Sequence, residues 1–254
     1  MRQLRREAYG EDFGQHSWVV AEDLRNDINR LRLSGSSHLL DLGSGPCGPL
    51  TFVLAASGCR GTAMDLSPSG LDVGRARART MGVDGALSTH VADLNEPIPL
   101  ESRSFDAIMS LDVILHLRDR SKIFHEVARL LRPGGRFLFT DAGVVTGSIS
   151  SDDVRRRSFN GYTQFVPVGW NESLLESAGL RLLESENRTM RVLENAGGRL
   201  ATIHAHRDEL ERVWTAPGFE NQRDYLETVV AVSQRGAISR FMYLAEVVER
   251  APFD

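Results

Sequence analysis

The sequence is poor in residue types that would point to particular settings. It has two cysteines, Cys47 and Cys59, in 254 residues, and one lysine, Lys122, among 30 basic residues. Two cysteines cannot build the multi-bridge framework of a small secreted protein, which indicates a reducing interior. No group of Cys, His, Asp and Glu has the spacing of metal ligands, so no metal is predicted.

Long apolar runs are also missing. Residues 1–7 lack the apolar stretch of a signal peptide, and no later segment approaches the roughly 20 apolar residues of a membrane span. The sequence therefore predicts a soluble, cytoplasmic protein with no membrane partner.

An excess of positive charge is absent as well. The net charge is −4 and the isoelectric point is about 6.0, which leaves no basic stripe for nucleic acid. The run Arg155, Arg156 and Arg157 is predicted to be a solvated face. We expect a small-molecule substrate as the partner, and a monomer and a homodimer both remain open.

The most informative stretch present is a glycine-rich turn at residues 39–48, LLDLGSGPCG, which is followed by a helix-like run. An apolar strand that turns through glycines into a helix is predicted to present unpaired backbone N–H groups to a ligand. Asp41 would add a carboxylate at the same mouth. Gly43, Gly45 and Gly48 fit the dinucleotide fingerprint, so nicotinamide and flavin binding are both compatible with this stretch alone.

Apolar strands alternate with helical segments along the rest of the chain. The first three strands each end in an acid, at Asp41, Asp65 and Asp93, and a fifth strand over 136–140 is followed by Asp141. Later strands are predicted at 180–186 and 240–248, with a largely helical segment over 188–235. This alternation predicts an α/β fold: a Rossmann-like, seven-stranded, mostly parallel sheet with helices on both faces and a ligand at the strand carboxyl ends.

A single domain over residues 1–254 is expected, divided into four parts. The parts are an N-terminal helical arm (1–35), a ligand-binding core (36–141), a lid insertion (142–169) and a C-terminal part of the sheet with a helical cap (170–254). The insertion is long and aromatic, and loops of such length usually have a function. We predict that it carries a substrate pocket through Tyr162, Phe165 and Trp170, and that residues 9–18 of the arm cover it.

Taken together, these motifs resemble the class I methyltransferases that use S-adenosylmethionine (SAM). The resemblance covers residues 36–145. It rests on the glycine turn, on the acids that end the second and third strands, on the fourth strand with the sequence after it, Phe105-Asp106 and Ser110-Leu111-Asp112, and on the stretch Leu131-Arg132-Pro133-Gly134-Gly135. Many family members have glycine where this chain has Cys47.

The resemblance implies a set of cofactor contacts. Asp65 would bind the ribose diol, Asp93 the adenine amine, and Asp41 with the Gly43 carbonyl the methionine amine. Leu66 and Leu94 would hold the adenine faces, with ordinary core packing as the alternative. The implied cofactor-binding set is Asp41, Gly43, Ser44, Gly45, Asp65, Leu66, Asp93, Leu94 and Ser110.

The segment after the fourth strand looks most like the branch of phosphoethanolamine and small-amine methyltransferases. The resemblance implies a catalytic His116 and a substrate contact at Asp112, and their spacing of four predicts one helical face. The tyrosine that partners this histidine in the branch is replaced by Phe13. Tyr9, Gln15 or Tyr162 could supply that hydrogen bond, and the phosphate-gripping arginine and tyrosine of the branch are not found.

Two functions follow from this sequence. The first is transfer of a methyl group from SAM to an oxygen, nitrogen or carbon of a small metabolite, with secondary metabolism as a setting. The alternative is a SAM-fold protein that binds a partner or catalyses a cyclisation without methyl transfer. Methylation of nucleic acid would need a basic face or an Asn-Pro-Pro-Tyr motif, and the sequence has neither.

Overall fold

The computed structural model describes residues 6–7, 9–158 and 161–248. The strands are β1 (His38–Leu42), β2 (Arg60–Asp65), β3 (Leu87–Val91), β4 (Phe105–Leu111), β5 (Leu131–Val145), β6 (Val166–Pro167), β7 (Leu180–Asn187) and β8 (Ile238–Val247). The helices are α1 (Ala21–Arg30), α2 (Gly48–Ser57), α3 (Pro68–Met81), α4 (Arg120–Leu130), α5 (Ser151–Arg157), α6 (Trp170–Ser177), α7 (Thr189–Ala205), α8 (Arg207–Trp214) and α9 (Ala216–Gln234).

The strands form one sheet in the order β3-β2-β1-β4-β5-β8-β7. Strands β1 to β5 pair in parallel, and β8 runs antiparallel to both of its neighbours. The prediction of a mostly parallel α/β sheet is confirmed. The short β6 pairs with β5 outside this row and was not predicted.

Helices cover both faces of the sheet because its central strands carry apolar side chains on both faces. In β1, Leu39 packs into one core cluster and Leu40 into the opposite one, as expected when successive side chains point to opposite faces. Helix α4 covers the Leu40 face, and α1 and α2 cover the Leu39 face. In the described part of the chain, no helix is both long and apolar enough to cross a membrane.

The segment predicted to be helical over 188–235 consists of α7, α8 and α9. Their apolar faces form a third cluster, in which Val192, Phe219 and Leu226 pack with Trp18 of the arm and Ala142 of β5. The arm and these helices therefore meet above the carboxyl end of the central strands.

Strand β5 corrects one prediction. It does not stop before Asp141 but continues to Val145, so part of the predicted lid belongs to the sheet. Asp141 is fully buried and forms an ion pair with Arg120, and Asn171 donates to the same carboxylate over 2.9 Å. Asp141 therefore does not face the ligand edge as the other strand-end acids do. The insertion is described except for residues 159 and 160.

Candidate active site

The glycine turn between β1 and α2 is fastened to β2. The N–H groups of Gly43 and Ser44 donate to the Met64 carbonyl over 2.8 and 3.0 Å, and the Gly45 N–H donates to Asp65 Oδ2 over 2.7 Å. The prediction that these amides are unpaired is therefore wrong. Gly43 has φ 77°, and a Cβ there would lie 2.5 Å from the Val113 methyl groups, so glycine is required for two reasons.

Cys47 precedes α2 in the left-handed region, with φ 53°, at the position where the family often has glycine. Its fully buried side chain lies against Gly74 of α3, where a Cβ would come within 2.4 Å of the Cys47 Sγ. The absence of a side chain at Gly74 therefore makes room for Cys47. Burial raises the pKa of the Cys47 thiol to about 12, which keeps it protonated.

Asp41 lies beneath the turn with only 3% of its surface exposed. Among the described residues, no hydrogen-bond donor contacts its carboxylate. Burial first, and the nearby charge of Asp65 second, raise the pKa of Asp41 to about 8. A cationic ligand group at this mouth would favour the ionised carboxylate, so the site is suited to an ammonium or sulfonium.

Asp65, the last residue of β2, and Asp93, which follows β3, accept hydrogen bonds from residues that come directly after them in the chain. Asp65 also accepts from the Ser67 N–H over 2.8 Å, and Asp93 Oδ1 accepts from the Asn95 backbone and side-chain amides over 2.9 and 2.8 Å. Leu66, beside Asp65, is 67% exposed. These side chains together provide two oriented carboxylates and an uncovered apolar surface at the carboxyl edge of the sheet.

Two other residues of the implied cofactor set lie deeper. Leu94 is half-buried and packs against the core on the Leu40 face. Ser110 is fully buried, and its hydroxyl donates to the Leu42 carbonyl over 3.0 Å. The Ser110 hydroxyl therefore joins β4 to the last residue of β1.

The segment after β4 is not an α-helix. Asp112 has φ 59° and is followed by a 3₁₀ turn over Ile114–His116, so the prediction that Asp112 and His116 share a helical face is wrong. The two side chains nevertheless line one cavity, which is described below.

Asp112 connects three parts of the chain. It accepts from Arg240 Nε over 2.8 Å, from the Trp18 N–H over 3.0 Å and from the Thr140 hydroxyl over 2.9 Å. Burial alone would raise the pKa of Asp112, but the Arg240 guanidinium and these hydrogen bonds hold it below its usual value. Asp112 is therefore an ionised carboxylate whose charge Arg240 neutralises.

His116 is exposed, and its Nδ1 lies 2.9 Å from the Tyr162 carbonyl oxygen. A carbonyl can only accept, so Nδ1 carries the proton in the neutral ring and Nε2 is left as the basic nitrogen. Of the three residues expected to supply this hydrogen bond, Tyr162 does so through its backbone. Gln15 instead bonds to the Phe13 N–H and the Glu11 carbonyl, which uses both ends of its amide.

A cavity of about 160 Å³ opens beside His116. Its wall includes Asp112 and His116, residues 16–18 of the arm, Tyr225 of α9, Arg157 of α5 and Arg199 of α7. The arm contributes to the pocket as predicted, but Tyr9 and Gln15 are not among the lining residues.

The side chains of Tyr162, Phe165 and Trp170, predicted to form a substrate pocket, are not in the wall of this cavity. The aromatic wall comes from Trp18 and Tyr225, whose rings stack 6.5 Å apart. Phe165 packs instead against the Ile238 cluster, while the rings of Tyr162 and Trp170 are half exposed outside the cavity wall.

The arginine run 155–157 is a solvated face only in part. Arg155 and Arg156 are exposed and pair with Asp152. Arg157 is only 5% exposed and donates to the Tyr225 hydroxyl and the Ala142 carbonyl, each over 3.0 Å. The sequence pattern could not single it out, because its partners are distant in the chain.

Residues 40–139 match the family described as methyltransferase domain. Residues 40–139 therefore resemble a methyltransferase domain, and this match covers less than half of the chain. The curated relative "Methyltransferase GfsG" from Streptomyces halstedii is 33% identical over 161 residues, which cover 61% of this chain and 56% of the relative. The chain spans between about one third and two thirds of the length of the first curated relatives it matches.

Solved structures of other methyltransferase-fold proteins are also similar. A phosphoethanolamine N-methyltransferase 2 from Haemonchus contortus superposes with a TM-score of 0.83 at 21% identity, covering 98% of this chain and 57% of that one. The [4+2]-cyclase SpnF superposes with a TM-score of 0.74 at 19% identity, covering 94% and 86%. At these identities the likeness shows the fold, and the resemblance to class I methyltransferases is confirmed.

Proposed function

We propose that this methyltransferase-fold chain binds SAM at the carboxyl edge of β1 to β3 and transfers its methyl group to a small molecule in the cavity beside His116. The observation that carries the proposal is the environment of Asp41. This acid is buried, its pKa is raised, and no described donor contacts its carboxylate, so the site suits a cationic ligand. Asp65 and Asp93 supply acceptors for a ribose diol and an adenine amine. The cofactor contributes an electrophilic methyl group.

The reaction needs the acceptor atom in line with that methyl group and shielded from water. Positioning and exclusion of water can supply much of the rate in such a displacement. Trp18 closes one side of the cavity, and its N–H bond to Asp112 fixes the arm in that place. Asp112 is thus a positioning residue.

His116 would remove a proton from an acceptor that carries one. Its Nδ1 proton is held by the Tyr162 carbonyl, so Nε2 is available as the general base. For an acceptor that is already deprotonated in water, His116 would only orient it.

The proposed binding of SAM is tested by titration calorimetry. We expect Asp65→Ala to weaken SAM at least about tenfold, since a hydrogen bond to a charged group contributes about 1.5–3 kcal/mol. Unchanged affinity would refute the placement of the ribose.

The transfer part is tested by screening amines, phenols and acidic-carbon metabolites with tritiated SAM. With an acceptor that loses a proton, His116→Ala should lower kcat by about 10²–10⁴. His125→Ala is the matched control, because His125 is exposed and its Nδ1 also bonds to a carbonyl, that of Ser121. A full-rate His116→Ala enzyme with an unaltered pH profile would exclude the histidine from catalysis.

A second function is supported by the likeness to SpnF, a [4+2]-cyclase with this fold. A chain that binds SAM tightly and converts a polyene without releasing S-adenosylhomocysteine would have that function. The same tritium screen separates the two, because only methyl transfer moves the label to the acceptor.

A further inference from the structure

The cavity beside His116 carries positive charge that no carboxylate in the described part of the chain neutralises. Of its two arginines, Arg157 forms no ion pair with a described carboxylate. The guanidinium carbon of Arg199 lies 5.0 Å from the centroid of the Trp18 ring. The one carboxylate in the wall is Asp112, which Arg240 already neutralises.

Arg157 is incompletely bonded although it is 95% buried by its surroundings. Its two terminal nitrogens donate to neutral oxygens of Tyr225 and Ala142, and its buried Nε has no partner among the described atoms. Burying a charged group without a counter-charge is costly, so such a group is usually paired with an ion or a ligand. The Arg157 guanidinium carbon lies 5.4 Å from the centroid of the Tyr225 ring, and an anion in the cavity would supply the counter-charge that the described carboxylates do not.

We propose that the methyl acceptor is an anionic small molecule, whose carboxylate or phosphoryl oxygens are held by Arg157 and Arg199. This inference rests on the proposed function. Guanidinium groups present planar pairs of donors that match such oxygens. The apolar part of the acceptor lies against Trp18 and Tyr225, and its nucleophilic atom lies at the His116 end of the cavity. Selection for the charge of the acceptor thus depends on residues of the helices α5 and α7.

The experiment uses three probes that share one ring: benzoate, phenylphosphonate and benzamide. Calorimetry measures the Kd of each on protein saturated with S-adenosylhomocysteine. We expect at least one of the two anions to bind about tenfold or more tightly than neutral benzamide, and the better anion to show which oxyanion the acceptor carries.

The variants are Arg199→Gln, Arg157→Gln and, as control, Arg155→Gln, an exposed arginine on the same helix as Arg157. In Arg199→Gln, the Kd of the better anion should be within about threefold of the Kd of benzamide. In Arg155→Gln, the wild-type preference for the anion should persist. Arg199→Gln keeps the test valid if Arg157→Gln does not fold, because Arg199 is only half-buried.

Two results would overturn the proposal: no measurable preference for either anion in the wild-type protein, or an anion preference that survives in Arg199→Gln. Affinity for S-adenosylhomocysteine is measured in the same samples and should be equal in the wild type and Arg199→Gln. A failure of the proposed cofactor site would appear there, and a failure of the anion site only in the probe titrations.

Discussion

At the scale of single residues, Asp41 makes cofactor binding sensitive to pH. Its pKa of about 8 means that it is mostly protonated at neutral pH in the free protein. Because a cationic ligand favours the ionised carboxylate, SAM affinity should rise as the pH increases from about 6 to above 8. Calorimetry at a series of pH values should show this rise in the wild type and its loss in Asp41→Asn.

The α-amino group of SAM also titrates near pH 8 and affects both proteins equally. The prediction therefore concerns the difference in pH dependence between the wild type and Asp41→Asn. Folding stability gives an independent check with the opposite direction. Between about pH 4 and pH 8, the Asp41 carboxyl keeps its proton in the folded protein and loses it in the unfolded chain. The contribution of Asp41 to the free energy of unfolding therefore falls as the pH rises through this range. Equal pH dependence in both proteins would contradict the prediction.

Cys47 and Gly74 form a matched pair that can be tested by a double-mutant cycle. Gly74→Ala should destabilise the protein by about 1–3 kcal/mol, because the new Cβ would overlap the Cys47 side chain. Adding Cys47→Gly removes both clashing atoms, so the double variant should lose less than the sum of the single changes. Denaturant unfolding measures all four proteins, and additive losses would show that the two sites do not interact.

At the scale of elements, Arg120 attaches the insertion to the core. From the start of α4 it pairs with Asp141 of β5 and donates to the Gln164 side chain and carbonyl over 2.8 and 2.7 Å. Arg120→Ala would leave Asp141 buried without its partner, and we expect a loss of about 3–5 kcal/mol in the free energy of unfolding.

Arg118→Ala is the control for this change, because Arg118 is exposed two residues earlier and should alter stability by less than about 0.5 kcal/mol. If both variants unfold at the same denaturant concentration as the wild type, the buried pair does not hold the insertion. The measurement is chemical denaturation followed by circular dichroism.

The sequence predicts elements well where a pattern is local and poorly where a partner is distant. Strand β4 and helix α3 follow directly from an apolar run and from Ser67-Pro68 with its closing Gly82. The buried pair of Asp112 and Arg240 joins residues 128 positions apart, so neither periodicity nor spacing could indicate it. For the same reason the sequence could not indicate that Trp18 of the arm and Tyr225 of α9 form the aromatic wall of the cavity.

At the scale of the whole molecule, ion pairs join α1 near the beginning of the chain to the segment after β7. Asp27 accepts from Arg188 over 2.6 and 2.8 Å, and both side chains are buried. Asp27→Ala should cost about 3–5 kcal/mol, since the buried Arg188 would lose its buried partner and keep only the half-exposed Glu186. Urea unfolding monitored by tryptophan fluorescence measures this loss.

Glu22→Ala provides the comparison, because Glu22 lies on the same helix but pairs with Arg191 at the surface, where such pairs contribute about 0–1 kcal/mol. The double change Asp27→Leu with Arg188→Met should recover much of the lost stability, as apolar residues can replace a buried pair. A small effect of Asp27→Ala would mean that α1 is held by its apolar face alone.

The position of β8 has a consequence for how the protein is made. This strand is synthesised after β7 but lies between β5 and β7, so a nascent chain has two strand edges without a neighbour until residues 238–247 leave the ribosome. Strands β1 to β5 can assemble while translation continues, whereas β7 must wait. Unpaired strand edges invite association with other chains. Translation that stalls between residues 187 and 238 would therefore yield an aggregation-prone product that depends on chaperones.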